Sequence, residues 1–114
     1  METIEELLIR YQEAASKHGT ATRSGASEEA NEAHDLIAAT YAEIRRRGEQ
    51  RKLLPLLTDS DVGIRLWAAA HALEFAPEDG ERVLQAIETG QHRLLSFSAK
   101  VTLQEWRAGR LKFA

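Results

Sequence analysis

The segment LLPLLTDSDVGIRLWAAAHAL, residues 53–73, sets a proline inside a leucine-rich helical pattern, then two aspartates, then a run with almost no polar face. Proline lacks the amide proton that would bond four residues back, and its ring crowds that turn, so it is tolerated near a helix start or at the cost of a bend. A third helix beginning at Gln50 or Arg51 places Pro55 in its first or second turn, so a bend is expected and no break. Asp59, Ser60 and Asp61 supply acceptors for the first amides of a fourth helix. The tight corner folds that helix back on the third as an antiparallel hairpin. From Ile64 to Ala76 only Arg65, His71 and Glu74 interrupt an apolar surface, so the fourth helix should be covered on several sides and lie at the centre. Ala68, Ala69, Ala70 and Ala72 narrow it for close neighbours, and Trp67, Leu73 and Phe75 fill the wider gaps.

An ungapped shift of 30 residues lays Leu53–Ala76 over Val83–Trp106. Leu54 then meets Leu84, Leu57 meets Ile87, Ile64 meets Leu94, Trp67 meets Phe97, Ala69 meets Ala99 and Leu73 meets Leu103. Recurring size and polarity at packing positions is what stacked helix pairs require. Pro77 suits the first turn of a fifth helix and Gly90 its end, while Leu95, Ala99, Thr102, Leu103 and Trp106 mark the buried stripe of a sixth. Trp67 and Trp106 both fall on such stripes and are expected to pack in the core.

Upstream, Thr3 and Glu6 form a capping box for a first helix over about Ile4–Lys17, with Leu7, Leu8 and Tyr11 on one face. HGTATRSGAS, residues 18–27, reads as a mobile loop. Ser27 is placed to cap a second helix with Glu28 and Glu29 in its first turn, Arg45, Arg46 and Arg47 in its last, and Gly48 as its stop. The fold expected is therefore all-α, about six antiparallel helices in one domain over residues 1–114: a hairpin over 3–48, repeat-like pairs over 50–76 and 77–109, and a tail over 110–114.

The leucine helix with its proline, the aspartate turn, Ile64-Arg65 and the alanine-rich helix resemble a HEAT-type repeat. The second copy departs from it, with Gln91 where the first has Asp61 and Leu95 where it has Arg65. More closely, IRRRGE, LLPLL, RLWAAAHALEFAPE and LLSFSAKVTLQEWRAGRL are similar to the short bacterial proteins catalogued as domain of unknown function 2019. That resemblance implies a small α-α superhelix of the HEAT/ARM-like kind, and it brings no catalytic residue with it.

Composition narrows the function classes. The absence of cysteine removes disulfides, thiolate zinc ligands and a cysteine nucleophile, and fits a reducing, cytoplasmic setting. The amphipathic acidic start is unlike a secretory signal, and no run approaches the ~20 apolar residues of a membrane span. His18, His34, His71 and His92 show no helical zinc spacing, no glycine-rich phosphate loop is present, and the carboxylate pairs fall in first turns where the helix dipole accounts for them. His71 and Glu74, three apart, can share a face as an acid and base, but a histidine bonded beside the core is the plainer reading.

Of the net charge of −3, residues 1–44 hold nine acids and three bases, and residues 45–52 hold five bases and one acid. Arg45, Arg46, Arg47, Arg51 and Lys52 are thus the candidate partner-binding patch, although basic last turns also complement the helix dipole. The expectation is a non-catalytic protein-binding domain, without cofactor or metal and away from membranes, of the kind a small immunity or regulatory protein uses. The alternative is nucleic-acid binding through the basic segments 45–52 and 107–112.

Overall fold

The computed structural model describes residues 2–113, and among them the chain is all helical, with six helices and no strand. Met1 and Ala114, the outermost residues of the expected domain and tail, lie outside the described residues. Helix α1 spans Ile4–Ser24 and α2 spans Ser27–Arg46. A 3₁₀ helix over Gln50–Thr58 follows, then α3 over Val62–Phe75, α4 over Pro77–Glu88 and α5 over Arg93–Arg107.

Helix starts follow the chemistry of unpaired amides. The Thr3 hydroxyl accepts from the Glu6 amide at 3.1 Å while the Glu6 carboxylate accepts from the Thr3 amide at 3.0 Å, the reciprocal capping box. At the other end of α1 the structure departs from expectation. Residues 18–24 are not a loop: the helix continues to Ser24 and turns at Gly25, whose φ of 76° is open to glycine at no steric cost. What overrides the polar, small-residue composition is packing, because Gly19 and Ala21 are buried. Ser27 does not cap α2 either; it is the first helical residue, after an Ala26 N-cap with no side-chain bond.

The proline segment also differs in detail. Instead of a bent α-helix, residues 50–58 wind as a 3₁₀ helix with Pro55 inside it. Bonds to the third residue suit a short segment in which one donor is missing. Leu53, Leu56 and Leu57 are its buried side. The corner that follows is built by aspartates. Asp59 Oδ1 accepts from the Asp61 amide at 2.8 Å, and Asp61 Oδ1 caps α3 by accepting from the Gly63 and Ile64 amides at 2.8 and 3.2 Å. The other Asp61 oxygen accepts from the Ser16 hydroxyl of α1 at 2.6 Å, so the cap also ties two helices together.

Helix α3 packs on α1, α4, α5 and the 3₁₀ helix, and nine of its residues are buried. Its closest approaches are at backbone level. A Cβ on Gly63 would stand 2.7 Å from the Ala15 carbonyl oxygen and 3.3 Å from Gly19 Cα; one on Gly80 would stand 2.6 Å from the Ala69 carbonyl oxygen. Large side chains close the remaining space: Leu7, Tyr11, Ile37, Tyr41, Ile44, Leu53, Leu84, Leu95 and Leu103 are fully buried. The terminal segment is not a loose tail, since Leu111 and Phe113 pack against the core and the Arg110 and Leu111 amides return to the Glu105 carbonyl.

The positions matched by the 30-residue shift fall into two groups. Leu57 and Ile87, Ala69 and Ala99, and Leu73 and Leu103 are buried in both members. Ile64 is buried where Leu94 is exposed, and Trp67 is partly covered where Phe97 is open. The reason is positional: α1 covers one side of α3, and no described element takes the equivalent place on α5.

Helix propensity alone would make Gly63→Ala stabilising by about 1 kcal/mol. The Ala15 carbonyl reverses the sign, so Gly63→Ala should lower the stability measured by urea unfolding by ~1–3 kcal/mol.

Candidate functional site

Four of the five bases at 45–52 find a carboxylate within the molecule. Arg45 pairs with Glu74 at 2.9 Å. Arg46 and Arg47 both bond Glu43, and Arg47 also donates to the Glu2 carbonyl oxygen at 2.7 Å. Lys52 lies 3.9 Å from Glu49, and Arg51 is exposed. Two arginines hold the Glu43 carboxyl down at about 2, with hydrogen bonds from Arg46 and then Arg47 as the main causes. The second basic segment is treated alike: Arg107 bonds Glu81 at 3.1 Å and Arg110 bonds Glu105 at 2.7 Å. The patch expected from the sequence is therefore largely engaged within the molecule but keeps a positive balance, since Arg46 and Arg47 share one carboxylate and Arg51 is exposed.

A different feature stands out beside α3. Three histidines and a tryptophan, separated by up to 53 positions in the chain, gather on one side of it. The Trp67 indole N–H donates to His18 Nδ1 at 3.2 Å, and the rings of His18 and His34 both meet the indole edge-on, with centroids 5.1 and 5.5 Å away. One turn further along, His71 stacks flat on Tyr41 at 3.8 Å, and the Tyr11 hydroxyl and His71 Nδ1 share a hydrogen bond of 2.6 Å. The Tyr41 hydroxyl in turn donates to Glu74, the carboxylate that Arg45 pairs with. Polar groups at this depth are tolerated because each has a partner.

Burial pushes the His71 imidazole down to about 3, with the neighbouring His34 adding to it. His18 is lowered by the same two causes, burial first. Both tyrosines move the other way: burial raises Tyr11 well above its usual value, and burial followed by the bond to Glu74 raises Tyr41. His71 and Glu74 are thus a neutral imidazole bound to a phenol and a carboxylate bound to a phenol and a guanidinium. Among the described residues no three His, Asp or Glu side chains are placed to hold a metal ion.

Above this floor lies an open groove of about 320 Å³, lined by His18 and His34 on one wall, by Leu66, Trp67 and Ala70 below, and by Phe97, Ser98, Val101 and Thr102 of α5 on the other wall. Phe97 is 64% exposed, Leu94 52% and Val101 36%, the open side of a helix whose opposite side buries Leu95, Ala99 and Leu103. A larger recess of about 520 Å³ at the far end of α4 includes Arg65, Arg82 and His92. There Arg65 donates to the Asp59 carbonyl oxygen and Arg82 pairs with Asp79, so its cations already have partners. Neither Trp67 nor Trp106 is enclosed: both pack against the core from its margin, and Trp67 shows one side to the groove.

The family model described as Domain of unknown function (DUF2019) matches residues 5–106, which takes in all six helices except the start of α1 and the final residue of α5. The chain belongs to that family. No curated protein and no solved structure matches it. The family match spans all four histidines and Phe97, so the groove lies wholly inside the shared region. Among the described residues no helix is long and apolar enough to cross a membrane.

The groove is not visible in the sequence because residues 18–27 read as a loop and the 30-residue shift pairs Phe97 with Trp67, a residue expected in the core. The signal available was the spacing of Leu94, Phe97 and Val101 at i, i+3 and i+7, on the side opposite Leu95, Ala99 and Leu103.

Because the folded pKa of His71 lies below the value of an unfolded histidine, ~6.5, unfolding takes up a proton at intermediate pH. The stability is fully present above pH ~6.5 and is lost as pH falls from there toward 3, by up to about 1.4 kcal/mol per pH unit for this one group. Urea midpoints measured from pH 7 to pH 5 should therefore fall for the native chain. The same series on His71→Gln should be flatter, keeping only the smaller contribution of His18.

Proposed function

We propose that this chain is a non-catalytic protein-binding domain of the α-α superhelical, HEAT-like kind, and that the groove beside α3 together with the open side of α5 is where it docks. One observation carries the reading: the exposure of Leu94, Phe97 and Val101 at 52, 64 and 36% in a row on the last helix. In stacked helix pairs the outer face of one pair is covered by the next, and no described element covers this side of α5. Helix α5 keeps apolar residues there. Covering a side chain of that size fully is worth ~1.5–3 kcal/mol, a gain left unrealised in the isolated chain.

The groove adds shape to that strip. Trp67, His18 and His34 form an aromatic floor and wall, with Ser98 and Thr102 as polar points near its edge. An aromatic pocket with few polar groups and a large neighbouring apolar residue is the composition of an interface anchor point. A small regulatory or immunity protein, which works by occupying a partner's surface, is the finer form of this proposal, and a cytoplasmic setting accompanies it. Nucleic acid is the weaker choice because Arg45, Arg46, Arg47, Arg107 and Arg110 each pair with a carboxylate, which offsets part of the charge that phosphates would need.

The test is a comparison of native and Phe97→Glu chains. Phe97 is open, so the substitution should shift stability by no more than ~0.5 kcal/mol while removing binding to the protein captured by the native chain in its host. An Arg46→Glu/Arg47→Glu chain should retain that binding. Undiminished capture by Phe97→Glu would sink the proposal.

A further inference from the structure

The two edges of the open strip on α5 differ in chemistry. With Phe97 at its centre, Leu94 and Val101 lie roughly 40–60° round the helix toward the groove, and Arg93 and Lys100 lie a similar angle the other way. All five are exposed, and among the described residues neither base has a carboxylate partner. The first turns of α1, α2 and α4 hold Glu5 and Glu6, Glu28 and Glu29, and Glu78 and Asp79, which complement the helix dipole. Helix α5 opens instead on Arg93 and has no acid before Glu105. The outer edge of the strip is thus positive by its side chains and by the helix end alike.

The groove edge carries no such charge: no carboxylate, lysine or arginine lines it. Its polar points on α5 have already used their protons. The Ser98 hydroxyl donates to the Leu94 carbonyl oxygen at 3.1 Å and the Thr102 hydroxyl to the Ser98 carbonyl oxygen at 2.8 Å, so each has only lone pairs left to offer. The Trp67 indole N–H is likewise committed, to His18. This wall accepts hydrogen bonds and stands over an aromatic floor. A lysine would supply donors but is repelled by Arg93 and Lys100, whereas an indole or phenol meets floor and wall together.

We propose that the occupant is an acidic segment of a protein partner: a Trp or Tyr side chain lies in the groove with its N–H or O–H on Ser98 and Thr102, and neighbouring carboxylates reach across Phe97 to Arg93 and Lys100. Single-stranded nucleic acid also combines rings with anions, but it needs a cationic track along its length, and here the bases stand on one rim alone.

This inference rests on the docking reading, and its experiment separates the two. The probe is a blocked pentapeptide, one tryptophan flanked on each side by two glutamates, titrated into the isotope-labelled chain. Amide signals of Phe97, Ser98 and Thr102 and the Trp67 indole signal should shift and saturate together. The same peptide with lysines for glutamates should bind at least about tenfold more weakly, and Arg93→Glu/Lys100→Glu should invert that order. Methylating the peptide's indole nitrogen removes the donor and should cost about threefold or more on the native chain, while Ser98→Ala/Thr102→Val should bind both forms alike. Unchanged circular dichroism confirms that each variant is folded.

Absence of a saturable shift, equal binding of the glutamate and lysine peptides, equal binding of the plain and methylated indoles by the native chain, or tighter binding of a short single-stranded oligothymidylate overturns the assignment. The docking reading is judged apart from these, by whether Phe97→Glu loses the host protein.

Discussion

Everything in this molecule is arranged around how closely other helices can approach α3. On one side Gly63 lies against Ala15 and Gly19 of α1, and on another the Ala69 carbonyl lies against Gly80 of α4, both at distances that leave no room for a Cβ. Contacts of this kind leave little freedom to slide, because any shift brings a side chain where only backbone fits. The Asp61 carboxylate then sets the register, capping α3 with one oxygen and holding Ser16 of α1 with the other. Burial alone would raise this carboxyl; the bonds from Ser16, Ile64 and Gly63 outweigh it and leave it lowered. With α1 fixed on α3, α2 follows through the short Gly25-Ala26 joint, and Tyr11, Tyr41 and His71 meet between them.

Much of this was legible in the sequence. The capping box at Thr3, the aspartate corner, the positive-φ glycine after α2 and Pro77 at the head of α4 rest on local chemistry that acts over three or four residues. The alanine run of α3 likewise announced a helix enclosed by close neighbours. Errors arose where distant packing decides the outcome. Residues 18–24 carry a loop-like composition, yet the partner of Gly19 is Gly63, 44 positions away, and nothing local to either glycine reveals it. Pro55 was correctly placed within a helix, but the choice between a bent α-helix and a 3₁₀ segment depends on how Leu53, Leu56 and Leu57 seat in the core.

The candidate site was harder to read, for two physical reasons. Base-rich helix ends draw attention as binding patches, but here carboxylates such as Glu43 and Glu74 come within bonding distance and take up their charge. Conversely, an apolar residue on a helix is ordinarily counted toward the core, and a 30-residue shift that matched Phe97 with Trp67 encouraged that assignment. Periodicity reports which residues share a side; it does not say whether another element covers that side. For α5 two apolar sides exist and only one is covered.

The uncharged state of His71 has a bearing on recognition. Ionised side chains beneath a contact surface must be stripped of water when that surface is covered, a cost that commonly cancels the attraction they offer. Here burial holds the imidazole under Trp67 neutral, and the Glu74 carboxylate beside it already has its cation and its phenol. A side chain laid on this aromatic floor would surrender no hydration to ions below it, which leaves van der Waals fit and the hydroxyls of Ser98 and Thr102 to discriminate.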